Sequence, residues 1–253
     1  MLALSMAVTA CHWRVNKLNI ADGGPRKSET RALKGFEEIE VSGSPTVYYT
    51  QADSFTVRVE GPERFVEDIL TDVSGRTLKI RNRGKVGIVN ITADYDDAAV
   101  YVTSPDLTLV QVNGSGDFKS ERRVDTDNMR IVLRGSGDID FNDIICDRCA
   151  TELTGSGDID IDRLEARSSM VTLIGSGDIE VRQWKVIDTD VALRGSGDIS
   201  VDFNEGCRKA KCQLTGSGDI SLSGHLGQFS GEKHGSGDIN IDKLSVENQN
   251  NQK

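Results

Sequence analysis

Seven aspartates, Asp117, Asp138, Asp158, Asp178, Asp198, Asp219 and Asp238, each close a Gly-Ser-Gly-Asp tetrapeptide and follow one another at steps of 21, 20, 20, 20, 21 and 19 residues. Carboxylates repeated at so constant a period should stand in one column. Ionised neighbours ~4.8 Å apart repel by ~0.9 kcal/mol in water-like surroundings, and by more if partly buried. Two chemistries offset that repulsion. In the first, each carboxylate accepts backbone N–H or Ser hydroxyl hydrogen bonds at its own corner, as Asx-type turns do. In the second, calcium bridges carboxylates of adjacent coils, because hard oxygen ligands at a repeating height collect several to an ion. The sequence favours the turn, since nonapeptide calcium repeats supply more ligands per turn than this period does. The neighbouring Asp140, Asp160 and Glu180 thicken the acidic face and help to keep a long sheet soluble.

Catalysis by paired carboxylates needs two acids at a defined separation in unlike environments. A column of equivalent aspartates offers no such pair, and the near-constant coil length leaves little wall for a cleft. The expectation is therefore a protein that is not an enzyme, with action on a polysaccharide as the alternative. The histidines are His12, His225 and His234, and nothing in their spacing marks a metal pair.

The five cysteines are Cys11, Cys146, Cys149, Cys207 and Cys212. Read linearly, the last four suggest zinc, but stacking places the two pairs ~14 Å apart, against a zinc–sulfur distance of ~2.3 Å. An exported protein would rather form two local disulfides, Cys146 with Cys149 and Cys207 with Cys212.

The elements that must position these side chains follow from the same repeat. Every tetrapeptide after the first continues as Asp-Ile-polar-apolar, the alternation of a strand. Aligned on the first glycine, the copies carry three apolar pairs, as in Ile159 and Ile161, Leu164 and Ala166, Val171 and Leu173. The next copy reads Ile179 and Val181, Trp184 and Val186, Val191 and Leu193. Three pairs per turn imply three short faces around one core, so the fold class is all-β, a parallel β-solenoid of about seven coils of ~20 residues and a rod of roughly 34 Å. Gly-Ser-Gly is then the sharp corner. None of the four prolines falls in the array, as central strands require.

Upstream, strands are expected around residues 39–41, 46–50, 55–60, 77–80, 86–92, 99–103 and 107–112, with one short helix over 62–70. The resulting division is a signal segment over 1–10, a polar tether over 11–34, an N-terminal β-rich part over 35–113 that caps the solenoid, the repeat array over 114–246 and a polar tail over 247–253. An open solenoid end exposes strand edges, so pairing with a second copy through that end is a further expectation.

With 253 residues and 37% hydrophobic content, a continuous core is affordable, and a formal charge of -10 argues against nucleic acid, whose phosphates need clustered Lys and Arg. Residues 8–11, Val-Thr-Ala-Cys, resemble a bacterial lipobox, which implies cleavage before Cys11, acylation of its thiol and attachment to a membrane by lipid.

The stretch Phe36-Glu37-Glu38-Ile39-Glu40-Val41-Ser42-Gly43, then Val57-Arg58-Val59-Glu60, then Leu78-Lys79-Ile80, followed by the repeated tetrapeptide, resembles the bacterial auto-transporter adhesin head domain, the GIN domain. The resemblance covers residues 36–246. It implies a right-handed parallel β-helix in an exported or lipid-anchored outer-membrane protein of the cell envelope, adhesin-like or scaffolding, with a surface glycan or protein as partner. No cofactor is expected apart from the calcium file weighed above for the aspartate column.

Overall fold

The computed structural model describes residues 25–83 and 98–248. The expected signal segment, Cys11, His12 and the strand over 86–92 lie outside them. The regular part is built from β9 (Phe118–Asp125), β10 (Asn128–Gly135), β11 (Ile139–Gly155), β12 (Ile159–Gly175), β13 (Ile179–Trp184), β14 (Val186–Gly195), β15 (Ile199–Gly216), β16 (Ile220–Gly235) and β17 (Ile239–Asn248). Each coil lies parallel on the last and in register, so that Gly135 faces Gly155, Gly155 faces Gly175 and Gly175 faces Gly195. The chain is a β-solenoid of about seven turns.

Alternation decides which side chains fill it. In the second coil Ile139 and Phe141, then Ile144 and Cys146, then Cys149, Thr151 and Leu153 point inward, while Asp147 and Arg148 stand exposed at the corner between the last two sets. We call the faces that carry these three sets A, B and C. Because the side chains of one coil cannot enclose a core, burial comes from stacking, and like residues form vertical columns. One runs Val112, Leu133, Leu153, Leu173, Leu193, Leu214. Burying a leucine side chain fully stabilises by ~2 kcal/mol.

The fourth coil departs from the expected pattern. Its first corner is one residue shorter, so Gln183 and not Trp184 takes the interior place beneath Leu164. Lys185, with φ 56, is the one non-glycine residue of positive φ among the described residues and restores the register. Gln183 is satisfied inside, donating to Ser169 Oγ at 2.9 Å and accepting from Thr189 Oγ1 at 2.7 Å. Trp184 turns outward instead, under the Arg163 guanidinium at 4.9 Å from its ring centre. A short coil holds an amide with two partners more readily than an indole.

The N-terminal part contributes further layers in an order that differs from the order along the chain. β2 (Glu38–Gly43) and β3 (Thr46–Gln51) form faces C and A of one coil. β2 is flanked by β8 (Leu109–Gly114) on one side and β6 (Thr77–Asn82) on the other. β3 lies likewise between β9 and β7 (Ala99–Ser104). Beyond them, antiparallel strands close the end: β4 (Thr56–Pro62) on β7, β1 (Arg26–Arg31) on β4, and β5 (Ile69–Ser74) on β6. Residues 26–31, placed in the tether by composition, thus form a strand that pairs with β4. The helix is shorter than expected, α1 (Glu63–Asp68), because Ile69 is already extended. Phe65 and Val66 are its buried residues.

Candidate functional site

The recurring aspartates occupy one corner of the solenoid, and the glycines beside them explain why the corner is invariant. A Cβ on Gly157 would lie 1.9 Å from the carbonyl oxygen of Gly137, and one on Gly177 equally close to that of Gly157. The chain can stack there only without side chains. The first glycine of each copy but the last also accepts two donors from the next coil, as Gly135 O does from Ser156 N at 2.9 Å and Gly157 N at 3.2 Å.

The aspartate column is a hydrogen-bond ladder. Oδ1 of Asp117 accepts the backbone N–H of Asp138 at 3.1 Å, and Asp138, Asp158, Asp178, Asp198 and Asp219 each accept that of the next aspartate at 2.7–3.2 Å. The carboxylates do serve the turns, but by reaching to the following coil and not to their own corner. Alternating N–H donors and carboxylates screen neighbouring charges from one another. Burial, partly countered by the Asp158 backbone hydrogen bond and reinforced by Asp117 and Asp158 on either side, still raises the pKa of Asp138 above the ordinary carboxylate value. Among the described residues no group of three or more His, Cys, Asp or Glu side chains is arranged to hold a metal.

Beside this ladder, face A carries a second column. Lys119, Asp140, Asp160, Glu180, Ser200, Ser221 and Asn240 lie in register on successive coils. It borders a line of three shallow depressions. The first, of about 480 Å³, is lined by Lys119, Asp140, Asp160, Asp162, Glu180 and Arg182 among others. The second, of about 310 Å³, runs along Asp158, Asp178 and Asp198, and the third, of about 210 Å³, along Ser221, Ser223 and Asn240. Three of the acids lining the first depression are paired: Asp140 with Lys119 at 2.9 Å, Glu180 with Arg182 at 2.6 Å, and Asp162 with the same arginine. Asp160, between Asp140 and Glu180, has no ion pair among the described residues. Burial first, then Glu180 and Asp140, raise its pKa. Sequence spacing names Asp140, Asp160 and Glu180 but not Lys119, Asp162 or Arg182, nor the difference between Asp160 and its neighbours, to which Lys119 and Arg182, three coils apart, contribute.

The four cysteines of the array are buried free thiols. The bridges expected from the sequence are therefore absent. Cys146 and Cys149 flank one corner, both inward; their shared hydrogen bond and burial push the Cys146 pKa up. Cys207 sits at the same corner three coils on, but the residue across from it is Ala210, and Cys212 lies one inward place further along. Cys207 instead contacts the Lys209 and Ile187 carbonyls at 3.2 and 3.4 Å. Burial raises the Cys207 pKa and takes that of Cys212 to about 12. Thiols in that state are poor nucleophiles and poor metal ligands. His225 lies between Gly224 and Leu226 on face B and His234 near the end of face C, so the two are on different faces.

The family model described as "Putative auto-transporter adhesin, head GIN domain" matches residues 35–209. Among solved structures, a putative lipid binding protein of Parabacteroides distasonis is similar with a TM-score of 0.72 at 25% identity, covering 85% of this chain and 97% of that one. A putative adhesin of Bacteroides fragilis gives 0.71 at 22% identity over 85% and 96%. A putative adhesin of Parabacteroides distasonis gives 0.70 at 20% identity over 87% and 98%. The sequence has no match among curated proteins.

Proposed function

Because the chain belongs to the putative auto-transporter adhesin head GIN domain family, we propose that it is a non-catalytic binding protein of the bacterial cell envelope, held to the membrane by lipid on Cys11, that presents face A to a surface glycan. The observation that carries this reading is the line of depressions on face A, bordered by a continuous register of carboxylate, serine and asparagine side chains. An open row of hydrogen-bonding groups at sheet spacing suits a polymer of hydroxyls, and the carboxylates restrict it to neutral or amine-bearing sugars. Among the described residues no helix is long and apolar enough to cross a membrane, which is compatible with attachment by lipid. Binding to an array of neutral, amine-bearing and acidic glycans tests the proposal. The expected result is retention of the first two classes, weakened at least tenfold by Asp140→Ala with Glu180→Ala. Equal retention of acidic glycans, or no retention of any, refutes it. Labelling with radioactive palmitate should fall to background in Cys11→Ala, and equal labelling refutes the anchor.

A second reading has one observation behind it. Asp160 stands a single strand spacing, ~4.8 Å, from Asp140 and from Glu180, unpaired and with a raised pKa, while both neighbours are ion-paired. An unlike pair about 5 Å apart is what a retaining glycosidase uses. Release of shortened chains from any glycan on the same array, abolished by Asp160→Asn, would replace binding by hydrolysis.

A further inference from the structure

Face C differs from the rest of the molecule in both charge and hydrophobicity. The chain has a formal charge of -10. Yet over the first five coils this face, residues 128–134, 148–154, 168–174, 188–194 and 209–215, carries six basic side chains and three carboxylates. Glu152 is held by Arg130 at 3.0 Å, and Asp188 by Arg208 of the adjoining corner at 2.6 Å. Arg134, Arg148, Arg194, Lys209 and Lys211 have no ion pair among the described residues, and Asp190 is the one carboxylate left to face them. The large apolar side chains exposed among the described residues are Met170, Ile174 and Ile187, at 47%, 44% and 42%. All three gather here. Met170 and Ile174 stand outward on face C of the third coil, and Ile187 borders the same face on the fourth.

Register sets the cations around the apolar centre. One outward column runs Arg134, Thr154, Ile174, Arg194, and another Ala150, Met170, Asp190, Lys211. Arg148 and Lys209 lie at the corner in line with Ser168 and Asp188. Arg134 and Arg194 are thus three strand spacings apart, ~14 Å, with Ile174 between them. A surface that is flat, apolar at its centre and cationic at its rim matches the boundary of an anionic bilayer, where aliphatic groups enter the headgroup layer while Arg and Lys meet phosphates. An acidic polymer in water would use the cations and leave Met170 and Ile174 without a partner. Because the coil has three faces, face C on a bilayer leaves face A turned away from it.

We propose that face C, through Met170, Ile174 and the flanking Arg134, Arg194 and Lys211, rests on a membrane that contains anionic lipid. The contact needs neither an acyl chain on Cys11 nor a glycan on face A. The full chain carrying Cys11→Ala therefore tests it, by flotation with vesicles of phosphatidylcholine alone and of phosphatidylcholine with an equal part of phosphatidylglycerol. The anionic vesicles should bind at least tenfold more tightly than the neutral ones, and raised salt should release the protein. Arg134→Gln with Arg194→Gln and, separately, Met170→Ser with Ile174→Ser should each weaken binding to the anionic vesicles at least tenfold. Should either double variant fail to fold by circular dichroism, Arg194→Gln or Ile174→Ser alone must shift binding in the same direction. Equal binding to both kinds of vesicle, binding to neither, or a folded double variant that binds as the parent does overturns the proposal. Dextran sulfate bound as tightly as the anionic vesicles, and no less by Met170→Ser with Ile174→Ser, overturns it in favour of an acidic polymer.

Discussion

Replacing Gly157 by alanine tests whether the corner glycines are required by stacking or by backbone conformation. The added Cβ would stand 1.9 Å from Gly137 O, a contact that ordinary Cβ atoms keep above 3.0 Å, so the two coils must separate locally by more than 1 Å. The hydrogen bonds that hold this corner, Ser156 N and Gly157 N to Gly135 O at 2.9 and 3.2 Å, do not survive such a shift. Two lost bonds cost about 2 kcal/mol and the overpacking ~1–3 kcal/mol more, for a total of ~3–5 kcal/mol. The control is Gly75→Ala. Gly75 has φ 64 and nothing within 4 Å of its would-be Cβ, so its loss is the conformational cost of about 1 kcal/mol. Urea unfolding followed by circular dichroism measures both, read at the first transition because stacked repeats need not unfold in one step. In thermal melts the difference corresponds to roughly 10 °C. If Gly157→Ala loses no more than Gly75→Ala, the coils do not rest on one another at this corner and the ladder argument fails with it.

Asp158→Ala removes the acceptor for Asp178 N–H and should lower stability by ~1 kcal/mol, whereas Asp158→Asn keeps an oxygen there, relieves repulsion and should be neutral within ~0.5 kcal/mol; urea midpoints distinguish the two. Asp138 and Asp160 have raised pKa values in the folded state, so the folded chain binds their protons more readily, and their contribution to stability is present below the ordinary carboxylate value and lost as pH rises through the folded value. Asp160→Asn should flatten that part of the stability–pH profile, and an unchanged slope counts against the burial argument. Native protein carrying Cys11→Ala should leave its thiols unreacted with iodoacetamide, since all four are buried.

The array was legible because its signal is local and repeated. Ile159, Ile161, Leu164, Ala166, Val171 and Leu173 all point inward as alternation requires, and the period alone places Asp117 to Asp238 in one column. Alternation fails where two adjacent residues compete for one place. Between Gln183 and Trp184, hydrophobicity selects the tryptophan, but the corner before this place is one residue short, which brings Gln183 inward, and Ser169 and Thr189 supply what the amide needs. The N-terminal layers were illegible for a different reason. β6 packs beneath β2, and β1 pairs with residues 57–62, contacts that join distant segments and leave no periodic trace in either. The short polar strand Arg26–Arg31, which among the described residues pairs with β4 alone, has the composition of a linker and is a strand because β4 offers it partners.

Uniform stacking also constrains where function can lie. Whatever is identical in every coil is already accounted for by holding coils together: the glycines by close approach, the aspartates by the N–H ladder, the leucines by the core. A ligand that distinguishes one part of the rod from another must therefore read what differs between coils. Three departures are concentrated on the described surface and ends: Asp160 alone between paired acids, the outward Trp184 under Arg163, and Lys233 at the end of the leucine column. The first two lie on adjoining faces of neighbouring coils, and Arg182, which fixes Glu180 and Asp162, comes from the coil that carries both Trp184 and the shifted register. With Lys119 on Asp140 and Arg182 on Glu180 and Asp162, Asp160 stands between two ion-paired acids and has no ion pair among the described residues, and it is this uneven supply of basic side chains, added to burial, that makes one carboxylate in an otherwise repetitive column chemically distinct.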